Sequence, residues 1–598
     1  MRNEARSKAS ADWLRALERT AGAVRRPDHT FGKILDELAE EFCDRPALIG
    51  ETVTLTYNEL AARANRYARW ALANGVGKGD CVALLMPNCP EYVAAWTGIS
   101  CTGGVSALIN TNLREQALAH CLDIVRPCHV IVASELIDAY HSALTSISAP
   151  ATLWLQDQAG DAGPSLRETL DALEGGPLAA AERRDTQLSD PALYIYTSGT
   201  TGLPKAAYVS HRRVVEWSYW FSGLMGIRPD DRMYNCLPMY HSIGGIVAIG
   251  SVLVSGGSVV IREKFSARRF WDDVSNSGCT LFQYIGELCR YLVNAPPSRH
   301  ETAHRLRLCC GNGLRSDVWH SFKTRFNIPK VLEYYAATEG SFSLYNVEER
   351  PGAIGRLPGF MAHRSPVAIV KFDLEAQAVV RGEDGFCIPC AADEAGEAIG
   401  RLSHTDPSNR FEGYTNPAES ERKILRNVFA AGDAWFRTGD LMKRDNAGYF
   451  YFVDRIGDTF RWKGENVSTT EVANVISECP GIMQATIYGV AMPGFDGRAG
   501  MAAIVVDKTF DLATLHAFVV KRLPAYARPL FVRIVDELAS TETFKPKKQL
   551  LIQEGFDPRA VKDTVLIDDL KMAAYAPMTV ERFMRLLRQP VLIESAAG

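Results

Sequence analysis

The chain has 598 residues, more than one hydrophobic core normally contains, so at least two domains are expected. Hydrophobic residues make up 47% and charged residues 23%, which is the ordinary composition of a soluble globular protein. Lys and Arg number 66 against 70 Asp and Glu, and the sequence has no basic stripe, so a nucleic-acid-binding protein is not expected.

The N-terminal part of the chain predicts two helices. Residues 11–20 form a short amphipathic pattern that carries Trp13, Leu14 and Leu17. We expect this helix to dock onto the domain, and membrane contact is the alternative. Thr30 has the chemistry of an N-cap, and the helix after it has apolar residues at spacings of three and four.

Short apolar segments and helical patterns then alternate along the chain. The segments that read as buried strands are residues 80–86, 128–133, 194–196, 279–284 and 306–310. Pro90 begins a helix that runs through Trp96, and residues 156–190 have the composition of a surface linker. This alternation predicts an α/β fold whose sheets are mostly parallel and flanked by helices.

The longest apolar stretch, residues 246–261, is too short to span a bilayer comfortably and is interrupted by serine and glycine. It predicts a buried helix that runs into a core strand. The first eight residues lack the apolar core of a signal peptide. We therefore expect a cytoplasmic protein that is not integral to the membrane, while peripheral membrane contact and oligomerisation stay open.

A domain boundary is predicted near residue 457. Residues 448–454 read as a strand and residues 461–466 as a turn, and Ser468 or Thr469 then caps a helix. That helix turns three apolar side chains inward: Val472, Val475 and Ile476.

The prediction is therefore a large N-terminal domain, residues 1–456, and a small mobile α+β C-terminal domain, residues 457–598. A last helix is expected over residues 579–587. Its predicted apolar face consists of Val580, Phe583, Met584 and Leu587.

The 14 cysteines are scattered through apolar segments, which is typical of reduced thiols in a cytosolic protein. Cys387 and Cys390 form one Cys-x-x-Cys pair. A zinc site needs a second ligand pair at suitable spacing, and none is evident, so we expect no metal there.

Residues 196–205, YTSGTTGLPK, have the chemistry of a phosphate-binding loop. Glycines let main-chain N–H groups turn toward a phosphate, hydroxyls donate further hydrogen bonds and a lysine adds charge. The pattern is not the Walker motif, because Leu203 and Pro204 separate the last glycine from the lysine. A Ser/Thr/Gly hairpin turn is the alternative. The candidate phosphate-binding residues are Tyr196, Thr197, Ser198, Gly199, Thr200, Thr201, Gly202 and Lys205.

This string resembles the phosphate-binding signature of the adenylate-forming superfamily, which includes acyl-CoA synthetases, luciferases and the adenylation domains of peptide synthetases. Three further segments follow in the superfamily's order. Residues 334–340 (YYAATEG) resemble its adenine and magnesium motif, residues 436–440 (FRTGD) its ribose motif, and residues 454–455 (DR) the start of its hinge.

One group of the superfamily fits better still. Residues 454–468, 108–113, 388–390 and 541–545 resemble the fatty-acid-transport-protein and very-long-chain acyl-CoA synthetase group. The resemblance extends from about residue 50 to the C-terminus. It implies an AMP-forming ligase that uses ATP, Mg²⁺ and coenzyme A to activate a fatty acid.

The resemblance assigns roles around the nucleotide. Glu339 would hold Mg²⁺, Thr338 would contact the α-phosphate and Tyr335 would stack on adenine; without the resemblance these read as turn and core residues. The turn formed by Gly311, Asn312 and Gly313 would line the base with its main chain. Ala336 stands where the family usually has glycine.

Further roles fall on the C-terminal part of the chain. Asp440 would accept hydrogen bonds from the ribose hydroxyls, with Arg455 assisting. Lys545 would be the catalytic lysine of adenylation, although Lys547 and Lys548 are close in sequence and a solvated basic turn is the alternative.

The remaining assignments concern the acyl group and coenzyme A. His241 would guide the acyl group or the thiol, unless it is structural. The small domain would rotate about Gly457 between the two half-reactions, after which Lys463 and Gly464 would shape the coenzyme A tunnel.

Three other functions stay open. The ligase could activate a sterol side chain, a bile acid or an aromatic acid; it could load a carrier-protein phosphopantetheine; or the protein could be a lipid-uptake protein with secondary ligase activity. Four aromatic residues would line an acyl tunnel or form ordinary core: Trp217, Tyr219, Trp220 and Phe221.

Overall fold

The structure is a computed structural model that describes residues 2–149, 151–157, 165–198, 203–340, 342–362, 366–403, 410–462, 465–492, 497–540, 547–569 and 572–588. The described residues divide into two compact units. The first unit holds residues up to 314 together with 321–350 and 403–424, and the second holds 315–320, 351–402 and the residues from 425 onward. The boundary at residue 457 stays a prediction.

The helices, in chain order, are α1 (Arg2–Ala23), α2 (Phe31–Phe42), α3 (Tyr57–Ala73), α4 (Pro90–Cys101), α5 (Glu115–Asp123), α6 (Ile137–Ala143), α7 (Leu166–Asp171), α8 (His211–Met225), α9 (Ala248–Leu253), α10 (Phe270–Asn276), α11 (Gly286–Asn294), α12 (Ser316–Arg325), α13 (Pro417–Arg422), α14 (Thr469–Ser477), α15 (Leu512–Arg522), α16 (Lys548–Glu554) and α17 (Val580–Arg588). A π-helical segment, Ile243–Val247, precedes α9.

The strands are β1 (Pro46–Ile49), β2 (Thr54–Thr56), β3 (Cys81–Leu85), β4 (Val105–Leu108), β5 (His129–Val132), β6 (Thr152–Leu155), β7 (Pro191–Ser198), β8 (Pro204–Ser210), β9 (Arg232–Asn235), β10 (Ser258–Ile261), β11 (Leu281–Ile285), β12 (Leu308–Asn312), β13 (Val331–Ala336), β14 (Ser343–Asn346), β15 (Val367–Val370), β16 (Phe372–Asp373), β17 (Ala378–Val379), β18 (Gly396–Arg401), β19 (Ile424–Arg426), β20 (Ala434–Arg444), β21 (Phe450–Arg455), β22 (Phe460–Trp462), β23 (Glu465–Val467), β24 (Ile482–Ala491), β25 (Arg498–Val506), β26 (Phe531–Ile534), β27 (Thr564–Asp569) and β28 (Ala574–Pro577).

Two mostly parallel sheets form the first unit. One has the order β14-β13-β12-β11-β9-β10-β1-β2, in which β13, β12, β11, β9, β10 and β1 run parallel and the edge strands β14 and β2 are antiparallel. The other has the order β6-β5-β3-β4-β7-β8 and is parallel apart from the β7–β8 hairpin. The predicted α/β architecture is confirmed.

The central strands are nearly all apolar because a parallel sheet is covered by helices on both faces. Every residue of β3, β4, β5 and β10 is buried. Four strand predictions hold to within a few residues: β3, β5, β11 and β12. The predicted helix at Pro90 is confirmed as α4 and ends five residues later than Trp96.

The second unit contains mostly antiparallel sheets, in which only the described pair β25–β26 runs parallel, and short helices. Strands β15, β18, β20, β19 and β21 form one sheet, and β24 to β28 form another on which α14 packs. Ser468 caps α14 by accepting from the N–H of Glu471, and Val472 and Ile476 are buried as predicted, while Val475 is half-buried. The predicted turn at residues 461–466 includes parts of the hairpin strands β22 and β23.

Helix α1 docks onto α8, as the sequence predicts. The Trp13 side chain is buried and meets the rings of Trp220 and Tyr345 edge-on at centroid distances of 5.8 and 5.5 Å. Gly223 permits the approach, because a Cβ there would lie 2.4 Å from the Cα of Ala16. The helix is longer than predicted.

The prediction that residues 156–190 are a surface linker is wrong for much of their described part. This segment includes α7 and buries several leucines, among them Leu170, Leu178 and Leu188. Arg69 of α3 donates to the carbonyls of Glu174, Gly176 and Pro177, and binds the carboxylate of Glu182. Long-range contacts to α3 therefore order a segment whose local composition is typical of a loop.

The long apolar stretch behaves as predicted: α9 is fully buried and leads into the core strand β10. The last predicted helix exists as α17, but its predicted apolar face is partly wrong. Phe583 and Leu586 are buried, whereas Val580 and Leu587 are exposed. In the described part of the chain, no helix is both long and apolar enough to cross a membrane.

Candidate functional site

The sequence of the predicted phosphate loop begins in β7 and ends in β8, which pair with each other in antiparallel orientation. Thr197 pairs with Lys205 and Ser198 with Pro204 across the hairpin, so the loop between them is short and its ends are held at strand spacing. The four residues at the tip, Gly199, Thr200, Thr201 and Gly202, lie outside the described residues. Their phosphate-binding role stays a prediction.

Tyr196 belongs to the core beneath this loop. Its ring is buried, and its hydroxyl donates to the carbonyl of Cys121 at 2.7 Å. Because the polar end of the side chain is committed to the interior, any contact of Tyr196 with a phosphate would have to use its main chain.

Lys205 emerges from the hairpin into a polar cluster. Its ammonium group forms an ion pair with Glu419 of α13 and lies 5.9 Å from the centroid of the Tyr414 ring. The segment carrying Tyr414 is held against β8 by main-chain hydrogen bonds from Tyr208 to Gly413 and from Thr415 to Ala206. It therefore extends the hairpin edge.

Glu339 lies in the same cluster. The Tyr414 hydroxyl donates to its Oε1 at 2.7 Å, and Lys423 lies 3.7 Å from the same oxygen. Glu339 is buried, so these partners take the place of water around its carboxyl group. Tyr414 thus links the predicted phosphate lysine to the predicted magnesium ligand through one side chain.

The residues present fit a magnesium ion that keeps most of its water and phosphate ligands. Among the described residues, no group of three or more His, Cys, Asp and Glu side chains is arranged to hold a metal. Mg²⁺ in phosphate-transfer sites uses only one or two carboxylates plus substrate oxygens. The buried Glu339 carboxylate, beside the Tyr414 hydroxyl and Lys423, fits such a ligand, and its role as the metal ligand stays a prediction.

The parallel strands bring the other nucleotide candidates of this unit to one edge. The loops that carry Thr338 and His241 follow the carboxyl ends of β13 and β9, where open α/β sheets bind their ligands. The Thr338 hydroxyl lies 3.1 Å from that of Ser242, next to His241. Arg213 of α8 fixes this loop by donating to the Thr338 carbonyl at 2.7 Å.

His241 is half-buried, and its ring packs on that of Tyr240 at a centroid distance of 4.7 Å. Gly244 and Gly245 follow in the π-helical turn. Cβ atoms at these two positions would lie 2.0 to 2.7 Å from the carbonyl oxygens of residues 237–239, so only glycine fits. Such π-helical turns often occur at functional sites.

Gly311 and Asn312 are the last residues of β12, and Gly313 follows the strand at the same edge. Gly313 has a φ of +76°, and a Cβ on Gly286 would lie 1.8 Å from the Gly313 carbonyl oxygen. Glu333 supports the turn from the core by accepting from the N–H of Leu314 at 3.0 Å and from the Tyr284 hydroxyl. Burial raises the pKa of Glu333 to about 8, so the carboxyl is mostly neutral at pH 7.

Tyr334 and Tyr335 point to opposite faces of β13, as neighbours in a strand must. Tyr334 is buried against Phe221 at a centroid distance of 4.6 Å. Tyr335 is half-buried and meets Phe342 edge-on at 5.5 Å. Tyr335 is therefore the member of the pair that is partly accessible for stacking, and that role stays a prediction.

In the second unit, Asp440 and Arg455 face each other across β20 and β21. They are register partners, and the Arg455 Nε lies 3.6 Å from the Asp440 Oδ1. Asp440 is buried and Arg455 is 46% exposed in its side chain, so the pair presents a fixed carboxylate beside an accessible guanidinium. Their predicted ribose role is untested.

The hinge segment is anchored by Asp454. Its carboxylate accepts from the Thr469 N–H at 2.6 Å, from the Thr470 hydroxyl at 3.2 Å and from the Thr459 hydroxyl at 3.1 Å. Burial raises the pKa of Asp454. Gly457 follows with a φ of +97°, a conformation that side-chain-bearing residues rarely adopt.

The structure separates the candidate lysines. Lys548 is held by Asp458 at 2.9 Å and by the Thr469 hydroxyl at 2.8 Å, whereas Lys547 is exposed. Lys545, Lys463 and Gly464 lie outside the described residues, and their roles stay predictions.

Five residues that contact the candidates were not singled out from the sequence: Arg213, Glu333, Tyr414, Glu419 and Lys423. Glu333 offered a signal, because it is a single charge in an otherwise apolar strand. Tyr414, Glu419 and Lys423 offered none, since they lie about 200 residues after the hairpin that they contact.

Comparison with known proteins identifies the family. The model of the AMP-binding enzyme family matches residues 35–385, and that of the AMP-binding enzyme C-terminal domain matches residues 471–545. The chain is 38% identical to human long-chain fatty acid transport protein 1, covering 94% of this chain and 88% of that protein. It is 40% identical to mouse long-chain fatty acid transport protein 6, covering 91% and 88%.

The chain belongs to the AMP-binding enzyme family and, within it, to the group of the long-chain fatty acid transport proteins. The resemblance deduced from the motifs is confirmed. As a member of this family of AMP-binding enzymes, the protein is a ligase.

Solved structures share the fold of this AMP-binding enzyme. The anthranilate CoA ligase AuaEII in complex with anthranoyl-AMP has a TM-score of 0.75 at 20% identity, covering 87% of this chain and 96% of its own. A Mycobacterium tuberculosis fatty acyl CoA synthetase has a TM-score of 0.60 at 25% identity, covering 88% and 98%.

Proposed function

We propose that this AMP-binding enzyme activates a long- or very-long-chain fatty acid as its acyl-adenylate and transfers the acyl group to coenzyme A. The observation that carries the proposal is the Lys205–Tyr414–Glu339 cluster, in which Lys205 lies at the start of β8 and Glu339 follows the carboxyl end of β13. A buried acid and a lysine held together by one tyrosine suit a site that receives both a polyphosphate and its cation.

The reaction balances in two displacements. The fatty acid carboxylate attacks the α-phosphorus of ATP and pyrophosphate leaves, which gives the acyl-adenylate. The coenzyme A thiol then attacks the acyl carbon, its proton is lost, and AMP leaves. The first step brings an anion to an anion, so fixed cations and hydrogen-bond donors must offset the charge.

The chain supplies such groups. Lys205 would bind the β- and γ-phosphates. The hydroxyl of Thr338, whose main-chain carbonyl is held by Arg213, would donate to the α-phosphate. Glu339 would hold Mg²⁺, which when bound offsets phosphate charge and orients the leaving pyrophosphate. Lys545 would neutralise the charge that develops between the carboxylate and the α-phosphorus.

The choice of acid is supported by the relatives. Relatives that are 36–40% identical to this chain, and of which the alignment covers over 85%, are named long-chain fatty acid transport proteins. The aromatic cluster around Phe221 and Tyr345 supports a core role for these rings, because they pack on one another and on Trp13. Chain-length preference must then come from other residues.

A second candidate is a lipid-uptake protein whose ligase activity is secondary, favoured by the transport function in the names of the relatives. The two candidate functions predict different lipid uptake when the protein is reconstituted in vesicles. Uptake that persists in a Lys545→Ala variant unable to form thioester would support the second candidate, and uptake that stops would support the ligase.

The experiment that tests the proposal is a substrate screen by pyrophosphate release. Fatty acids of increasing chain length are compared with aromatic, sterol side-chain and bile acids, with Mg-ATP and with or without coenzyme A. We expect release with long fatty acids and thioester only with coenzyme A. Release only with another acid, or transfer only to a carrier protein, would overturn the proposal.

A further inference from the structure

One short segment of the first unit contacts both the predicted phosphate lysine and the predicted magnesium ligand. Residues 412–423, which we name the clasp segment, contain Glu412, Tyr414, Glu419 and Lys423. Glu419 forms an ion pair with Lys205, and Lys423 lies 3.7 Å from Glu339. Each predicted ligand for Mg-ATP thus already has a partner of opposite charge.

These ion pairs are sheltered rather than fully solvated. The side chains of Lys205 and Glu419 are 18% and 17% exposed, and those of Lys423 and Glu339 are 26% and 11% exposed. Ion pairs with this degree of burial are screened less by water and salt than surface pairs. The Lys205 ammonium lowers the pKa of Glu419, so this carboxylate is charged at neutral pH.

The clasp segment is fixed to the hairpin independently of these ion pairs. Glu412 accepts hydrogen bonds from the N–H and the hydroxyl of Ser210 at 2.8 and 2.5 Å. Main-chain hydrogen bonds join Gly413 and Thr415 to β8. The charged side chains can therefore exchange partners while the main chain that carries them stays in place.

We propose that the clasp segment balances the charge of the nucleotide-binding residues before Mg-ATP binds and exchanges both ion pairs when it does. The inference rests on the proposed function of Lys205 and Glu339. Glu419 competes with the phosphates for Lys205, so it opposes ATP binding. Lys423 is displaced from Glu339 by the arriving cation and becomes a positive charge available to the phosphates, so it favours ATP binding.

Glu419 lies in the short helix α13 and Lys423 directly follows it, four positions later. The proposal nevertheless predicts that replacing these two residues changes the affinity for Mg-ATP in opposite directions. Glu419→Gln leaves Lys205 without its competitor and is expected to tighten Mg-ATP binding about threefold to tenfold. Lys423→Met removes a cation and is expected to weaken binding by a similar factor of about threefold to tenfold. A purely structural role would weaken binding in both variants.

The test is isothermal titration of the full-length protein with ATP and Mg²⁺ in the absence of any fatty acid, so that no turnover occurs. Glu421→Gln is the matched control, because it removes the same charge from an exposed position of the same helix. It should leave the Kd unchanged. Lys423→Arg keeps the charge and should restore binding, which separates the charge effect from a folding defect seen in thermal melting.

Opposite shifts of the Kd in Glu419→Gln and Lys423→Met support the exchange. Shifts in the same direction, or no shift in either, would overturn it while leaving the proposed function intact. Failure of the wild-type protein to bind Mg-ATP would overturn the proposed function and this inference together.

Discussion

The Glu333 carboxyl accepts a hydrogen bond from the main-chain N–H of Leu314 at 3.0 Å, which joins the middle of β13 to the turn that follows β12. The contact places a buried titratable group directly behind the predicted adenine-lining turn, whose own residues supply only main chain and one amide. The stability of this turn should therefore depend on the protonation state of Glu333.

The first prediction concerns Glu333→Gln. The pKa of Glu333 is raised by burial from 4.5 to about 8, so between these values the unfolded chain loses a proton that the folded protein keeps. The contribution of this group to stability is fully present below about pH 4.5 and falls by up to about 1.4 kcal/mol per pH unit until about pH 8.

Glutamine cannot titrate, so the stability advantage of the wild type over the variant should shrink as the pH rises from 5 to 8. Thermal melting of both proteins across this range measures it. Parallel pH profiles would contradict the buried, neutral state of Glu333.

The second prediction concerns the hinge. Gly457 and Gly448 both have positive φ, +97° and +85°, and a Cβ at either would meet no atom within 4 Å. Alanine at either position should cost about 1–2 kcal/mol of backbone strain. Only Gly457→Ala should slow thioester formation more than adenylation, because only Gly457 lies at the predicted rotation point.

The two half-reactions are measured separately, by pyrophosphate exchange and by reaction of preformed acyl-adenylate with coenzyme A. Gly448→Ala serves as the strain-matched control. An equal loss in both half-reactions for Gly457→Ala would argue against a hinge at this residue. Gly457→Pro should show the same imbalance in stronger form, since proline fixes φ near −65°.

The third prediction separates the lysines. Lys545→Ala should lower the rate of adenylation by about 100-fold or more, the usual loss when a group that stabilises a transition-state charge is removed, with little change in Tm. Lys548→Ala should lower the stability by about 1 kcal/mol, because its bonds to Asp458 and Thr469 are lost. The reverse pattern would move the catalytic role to Lys548.

The fourth prediction tests the docked N-terminal helix. Trp13 is 1% exposed, and Trp13→Ala should cost about 3–5 kcal/mol in the free energy of unfolding. Leu14 is 51% exposed on the same helix, and Leu14→Ala should change stability by less than about 0.5 kcal/mol. Urea unfolding of both variants measures these changes in the free energy of unfolding. Similar small effects would mean that α1 does not contribute to the core.

The periodic parts of the fold could be predicted from the sequence because their signal is local. Buried parallel strands such as β3 and β5 are continuous apolar runs, and Ser468 marks the start of α14 by its capping chemistry. The ordered structure within residues 156–190 could not be predicted from the sequence, because it depends on contacts with Arg69 and its neighbours on α3, about a hundred residues earlier. The buried face of α17 could be predicted only in part, because tertiary packing as well as spacing determines that Leu586 is buried.

The candidate site also contains some residues that a local motif predicts and others that only long-range contacts bring into place. Lys205 and Glu339 stand in motifs that can be read directly, whereas Tyr414 and Glu419 reach these two residues only through the pairing of residues 413–415 with β8. Such a contact has no local signature. The clasp segment therefore emerges only when the strands are placed side by side.

The most direct test of the central claim is the formation of acyl-coenzyme A by the purified full-length protein, followed across fatty acid chain lengths with and without ATP. We predict thioester formation that requires both ATP and coenzyme A, releases one AMP per thioester, increases toward long chains and is lost in Lys545→Ala. Thioester formation without AMP release, or no thioester with any long-chain fatty acid, would contradict the assignment of this protein as a fatty acid ligase.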